Sequence, residues 1–108
     1  MPTKRESDET RREAEKTAQI RVRGLTVPDL PKNVIFNEIR SRIERGVYMV
    51  GEQVPSIADI ISMTEPSVAK NTARAALDLL REGGYIKTLT GFGSFVQPEE
   101  LWGKSPDA

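Results

Sequence analysis

Cysteine and histidine are both absent from the 108 residues. Without cysteine there is no disulfide framework, no thiolate metal site and no sulfur nucleophile. Without histidine the chain lacks the usual general base, the commonest metal ligand and the side chain that titrates near neutrality. Ser67 has no histidine to activate it, and spacing singles out no pair of carboxylates. An enzyme, a cofactor site and a metal site are therefore not expected. No apolar run approaches membrane-spanning length, and no hydrophobic signal segment follows the charged N-terminus, so neither membrane nor export is expected. The apolar fraction of 37% allows a small core in one small domain. Internal repeats and sustained heptads are also missing.

Charge is balanced, with 16 Lys and Arg against 16 Asp and Glu. Its distribution matters more than its sum. Between Val68 and Lys87 stand Lys70, Arg74, Arg81 and Lys87 against Asp78 and Glu82. The end of the chain carries Glu99, Glu100 and Asp107 against Lys104. A mildly basic face and an acidic tail are expected together.

Residues 1–19 are almost wholly polar, with both signs of charge mixed. Such a segment buries too little apolar surface to offset its ordering entropy. It reads as disordered or as a marginal helix, with Ser7 as a candidate N-cap. Ile20 and Val22 alternate with Arg21 and Arg23, a short strand-like pattern. Three readings fit this stretch: an arm whose arginines reach a minor groove, a strand that pairs with a partner chain, or a solvated linker. Residues 1–30 are accordingly read as a polar, flexible extension, residues 31–97 as the folded domain, and residues 98–108 as an acidic tail.

Leu30 to Arg45 reads as the first firm helix. Ile35, Ile39 and Ile43 step by four, Pro31 suits the first turn and Gly46 the end. Arg40, Arg42 and Arg45 read as solvated charges near the negative helix end. Gln53-Val54 can form a very short strand. Ser56 is a good N-cap for a short helix through Ile57, Ile60, Ile61 and Met63, with Asp59 completing a capping box. Thr64 to Val68 is the turn that follows, because Pro66 cannot continue the helix.

The chain is organised around residues 69–82. Ala73, Ala76, Leu77 and Leu80 share one helical face, while Lys70, Asn71, Arg74 and Arg81 lie largely off it, and Gly83-Gly84 stops the helix. A helix with small apolar residues inward and Lys, Asn and Arg outward at its start suits a DNA major groove. It is also compatible with an ordinary core helix whose outer face is solvated. Tyr85, Ile86 and Leu89, then Ser94-Phe95-Val96, flank a glycine turn and predict a β-hairpin. Trp102 stands in an otherwise polar tail, either docked on the domain, held by a partner or exposed.

Helix, helix-turn-helix and hairpin in this order read as a winged helix: mostly α with a small β-hairpin, three helices plus a two-stranded wing. The residues resemble the DNA-binding domain of the GntR family of bacterial transcriptional regulators. The resemblance runs from about Val34 to Val96 and rests on linked pieces: IRSRIERG, Gly51, VPS at 54–56, NTARAALDLLREGGYI at 71–86 and TGFGSFV at 90–96. It implies that Lys70, Asn71, Thr72 and Arg74 face DNA from the recognition helix, with Arg74 reading a base or gripping phosphate. It further implies that Ser56 opens the preceding helix at the DNA, and that Gly91, with Lys87 and Thr88 or Thr90 nearby, brings the wing to the minor groove. Arg21 and Arg23 are the candidate arm contacts.

The sequence also departs from the family pattern. Ala58 stands where Arg is usual, Ala69 where Ser or Thr is usual, Val50 where Pro is common, and the turn at 64–68 is longer. These departures imply weaker DNA contact, or contact supplied by Arg21 and Arg23. Family members carry an effector-binding, dimer-forming domain after the wing, and only a short tail follows here, so no small-molecule effector is expected. The expected function is a sequence-specific regulator of double-stranded DNA, a repressor acting as a homodimer or cooperative assembly in the bacterial cytoplasm, on the nucleoid. The competing expectation is a winged helix used for protein interaction or DNA architecture.

Overall fold

The computed structural model describes residues 4–22 and 30–103. Its core is built on the two longer helices of the domain. Helix α2 spans Pro31–Glu44 and turns Ile35, Ile39 and Ile43 inward, each at most 1% exposed. Burying one such side chain contributes about 1.5–3 kcal/mol, so this stripe alone fixes the face of the helix. Helix α4, Lys70–Glu82, answers with Ala73, Ala76 and Leu80, all fully buried. The alanines let the two backbones approach closely, and α2 packs more extensively on α4 than on any other element.

Between them lies the short helix α3, Ile57–Met63, whose Ile60 and Met63 enter the same core. Its start is the expected capping box: the Asp59 N–H donates to Ser56 Oγ, and the Ser56 N–H donates to Asp59 Oδ2, each at 3.1 Å. The wing follows α4 as the antiparallel pair β3 (Ile86–Leu89) and β4 (Gly93–Val96), with Ile86 opposite Val96 and Leu89 opposite Gly93. The anticipated strand at Gln53 is a single bridge to Phe95, which lays residues 51–54 along the outer edge of β4. The N–H groups of Gly51 and Val54 donate to the carbonyls of Val96 and Ser94. The winged helix-turn-helix read from the sequence is therefore the fold, with a further helix in front of it.

A helix is one of the two readings for residues 1–19; its contacts and those of the strand after it replace the flexible arm expected for this segment. Helix α1 spans Lys4–Lys16, and Ser7 lies inside it rather than capping it. Its side chains supply almost no apolar surface, so it is held by polar contacts. Arg12 and Lys16 both pair with Glu52, at 2.5 and 2.7 Å, and Tyr48 Oη donates to the Lys16 carbonyl. Glu15 faces Arg45 at 3.7 Å. The strand-like stretch that follows forms β1, Ile20–Arg21, and its partner is this same chain: β1 runs parallel to β2, Thr64–Glu65. Ile20 and Val22 drop into the core while Arg21 points outward. The turn 64–68 thus contains a strand that sequence reading did not anticipate, because two residues carry no periodic signal.

Two further expectations change. Arg42 is not a solvated charge but 3% exposed; its Nε bonds Glu38 and its Nη2 donates to the Ala18 carbonyl, each at 2.9 Å. Helical spacing places position 42 beside Ile35, Ile39 and Ile43, on the side that the 16–20 segment covers. The tail docks as far as Gly103. Trp102 stacks on Tyr85 with ring centroids 6.3 Å apart, Tyr85 meets Phe36 edge-on, and Trp102 Nε1 donates to the Gln97 carbonyl at 2.8 Å. Among the described residues, no helix is long and apolar enough to cross a membrane.

Candidate nucleic-acid interface

The candidate surface begins at the N-terminus of α4. Ala69 occupies the N-cap in an extended conformation and provides no side-chain cap, and no acidic residue stands in the first turn. The Thr72 and Ala73 N–H groups both reach back to the Ala69 carbonyl. The earliest amides of a helix have no intrahelical acceptor, so this end offers N–H donors and a partial positive charge to an anion. Lys70, Asn71 and Arg74 are exposed around it. Lys70 and Arg74 are one turn apart and share a stripe. Thr72 is half-buried, lying partly toward the core, and contributes less outward surface than its neighbours. Arg81, at the far end, is engaged with Asp78 at 2.6 Å. The free cations of α4 thus concentrate at its start.

Ser56 is exposed, but its hydroxyl accepts the Asp59 N–H as the cap of α3. It remains able to donate its own proton outward. On the wing, Lys87, Thr90 and Gly91 are exposed, and Gly91 has φ of +85°, a conformation that favours glycine at the turn. Thr88 and Ser94 join hydroxyls across the two strands at 2.9 Å. Arg21 pairs in register with Glu65 on β2, so parallel pairing fixes this arginine beside the turn that leads into α4. Arg23 lies outside the described residues.

One feature escaped sequence reading: the Glu52 cluster at the edge of the wing. Burial pushes the Glu52 carboxyl upward, but its bonds to Lys16 and the Met49 N–H, with the charges of Lys16 and Arg12, leave it below its ordinary value. The Glu52 bond correspondingly raises the Lys16 ammonium. Tyr48 is raised, chiefly by burial. Nothing in the local spacing of Arg12, Lys16 and Glu52 announces a contact across 36 to 40 residues. The tip residue Phe92 was also passed over; its signal was a large apolar residue between two glycines. Among the described residues, no group of three or more Asp and Glu is arranged to hold a metal ion.

Known proteins are similar to this chain in sequence and in fold. The sequence profile described as "Bacterial regulatory proteins, gntR family" matches residues 31–96. The Exu regulon transcriptional regulators of Escherichia coli K12 and of Shigella flexneri are each 34% identical over 59 residues, covering 55% of this chain and 22% of theirs. The chain thus spans about a fifth of the length of these curated relatives. The crystal structure of the possible transcriptional regulator YydK from Bacillus subtilis superposes with a TM-score of 0.56 at 29% identity, over 64% of this chain and 29% of that one. A transcriptional antiterminator from Listeria monocytogenes superposes with a TM-score of 0.62 at 28% identity, over 77% of this chain and 61% of that one.

Proposed function

This chain belongs to the gntR family of bacterial regulatory proteins, and from that premise we propose that it binds specific sequences of double-stranded DNA and represses transcription by occupying promoters. The observation that carries this reading is the uncapped start of α4, where Lys70, Asn71 and Arg74 surround free helix amides and no carboxylate intervenes in the first turn. In the proposed complex α4 lies in the major groove. Its amides and Lys70 hold phosphate, which gives affinity, while Asn71 and Arg74 reach base edges, which gives choice. The wing, with Lys87, Thr90 and Gly91, rests at the adjoining minor groove, and Arg21 contacts the backbone beside the turn.

One winged helix reads few base pairs, so we propose that the protein acts as a pair on two half-sites, in the bacterial cytoplasm and on the nucleoid. Selection of bound duplexes from a random library, followed by titration of the winner across a salt series, tests the reading. An enriched motif with two-fold symmetry, bound with steep salt dependence, is the expected result. Salt-sensitive binding without a motif indicates an architectural role instead. Absence of binding at low salt moves the assignment to a protein-interaction module.

A further inference from the structure

Phe92 is 76% exposed, well above the 54% of Val50 and the 51% of Met49, the next most exposed large apolar side chains among the described residues. It sits at the tip of the wing between Gly91 and Gly93, both at positive φ. The tip around it is slender: nothing lies within 4 Å of the position a Cβ on Gly91 would take. Its backbone is nevertheless held from two sides. The Phe92 N–H donates to the Leu89 carbonyl at 2.9 Å, and the Phe92 carbonyl accepts Gln53 Nε2 at 3.4 Å. The Gln53 side chain also fills the space where a Cβ on Gly93 would fall. From Ile86 to Val96 there is no Asp or Glu, and Lys87 is the one charged residue. The wing therefore presents a single aromatic ring on a narrow, fixed turn without negative charge.

We propose that Phe92 is a wedge that enters a base step from the minor groove, unstacks it and bends the duplex. This rests on the DNA-binding reading above. The minor groove is roughly 6 Å wide, which excludes a bulky turn but admits one flanked by glycines. An apolar side chain pushed between base pairs recovers its own burial in exchange for lost stacking and kinks the duplex. Pyrimidine–purine steps unstack most readily, so the ring selects sequence through deformability at a position without base-edge hydrogen bonds. A cation at this tip would instead grip phosphate and leave the helix axis straight.

The test uses the full chain and the duplex enriched from the random library, with 2-aminopurine placed at successive steps and dyes at the two ends. The wild-type protein is expected to brighten 2-aminopurine at a step outside the half-site read by α4, and to shorten the end-to-end distance. Phe92→Ala is expected to lose both signals and to bind roughly tenfold more weakly, the scale of one lost base–aromatic contact. Its salt dependence stays that of wild type, because no charge is removed. Phe92→Leu keeps part of the bend. The exposure of the ring leaves the core intact in both variants, which matching urea unfolding curves confirm. A duplex that stays straight and stacked under wild-type protein, or a bend that survives Phe92→Ala, overturns the wedge while leaving the DNA-binding reading standing, and turns the ring toward a protein contact. A wild-type protein without salt-sensitive DNA binding overturns both.

Discussion

Lys16 Nζ lies 2.7 Å from Glu52 Oε2, and this pair joins the last turn of α1 to the loop that edges the wing. Arg12 shares the same carboxylate, and the Met49 N–H donates to it. Because Val96 N–H bonds the Glu52 carbonyl, the residue that anchors α1 is also part of the wing's own hydrogen-bond ladder. The polar extension and the hairpin are thereby mechanically continuous.

The anchor carries a pH signature. Glu52 titrates below its ordinary 4.5, so its contribution is present above that value and is lost as pH falls through the lowered one. Lys16 titrates above its ordinary 10.5, so its contribution is present below that value and is lost as pH rises through the raised one. Amide exchange in α1 is expected to be flat from about pH 6 to about pH 9, once corrected for intrinsic rates, and to accelerate in acid. Glu52→Gln should give the fast exchange at neutral pH as well. With side chains 19% and 31% exposed, solvent screening limits the effect on global stability to about 1 kcal/mol or less, and added salt should shrink it further.

Arg42 is a different kind of charge. Its removal strips the Ala18 carbonyl of a donor and leaves Glu38 without its cation. Arg42→Ala is expected to lower the free energy of unfolding by about 2–3 kcal/mol, since Glu38 is half-exposed and can be rehydrated. A urea titration with unchanged slope reads this directly. A shift under about 0.5 kcal/mol, the range of an ordinary surface change, contradicts the role assigned to Arg42.

Ile20 distinguishes a docked segment from a loose one. It is 3% exposed and pairs in β1 with Thr64. Ile20→Ala should cost about 2–4 kcal/mol through lost burial and a residual cavity, and thermal unfolding should show it as a lower midpoint. The same change in a detached arm is silent.

Lys70 and Arg74 should separate affinity from choice. Lys70→Ala is expected to weaken binding uniformly across sequences and to reduce the salt slope by about 1. Arg74→Ala should cost about 1–3 kcal/mol on the preferred site and relax selection at one base pair. Competition binding against a panel of single-base variants measures both. Equal losses on every duplex for Arg74→Ala would assign it to phosphate alone.

Much of the domain was legible because its signals are local. The four-residue step of Ile35, Ile39 and Ile43, the Ser56–Asp59 cap, the alanine face of α4 and the glycines of the hairpin each specify structure within a few residues. The outward cluster of Lys70, Asn71 and Arg74 follows from the same helical geometry, and the structure places all three at the exposed start of α4. Arg42 was misread because helix-end electrostatics and core-facing position make opposite claims on the same residue, and only the covering segment decides between them.

The sequence by itself determined the winged helix-turn-helix, since periodicity, caps and turns act over one or two turns of chain. Tertiary structure decided what the N-terminal segment does. The β1–β2 pairing joins residues more than 40 positions apart, and the Arg12–Glu52 contact spans 40. Two-residue strands and salt bridges leave no periodic trace in a highly charged segment, and they form once the core has brought Glu52, Thr64 and Glu65 to one side of the molecule. The same holds for the tip of the wing: composition supplied a phenylalanine between glycines, and the Gln53 side chain beneath it fixed the ring's perch.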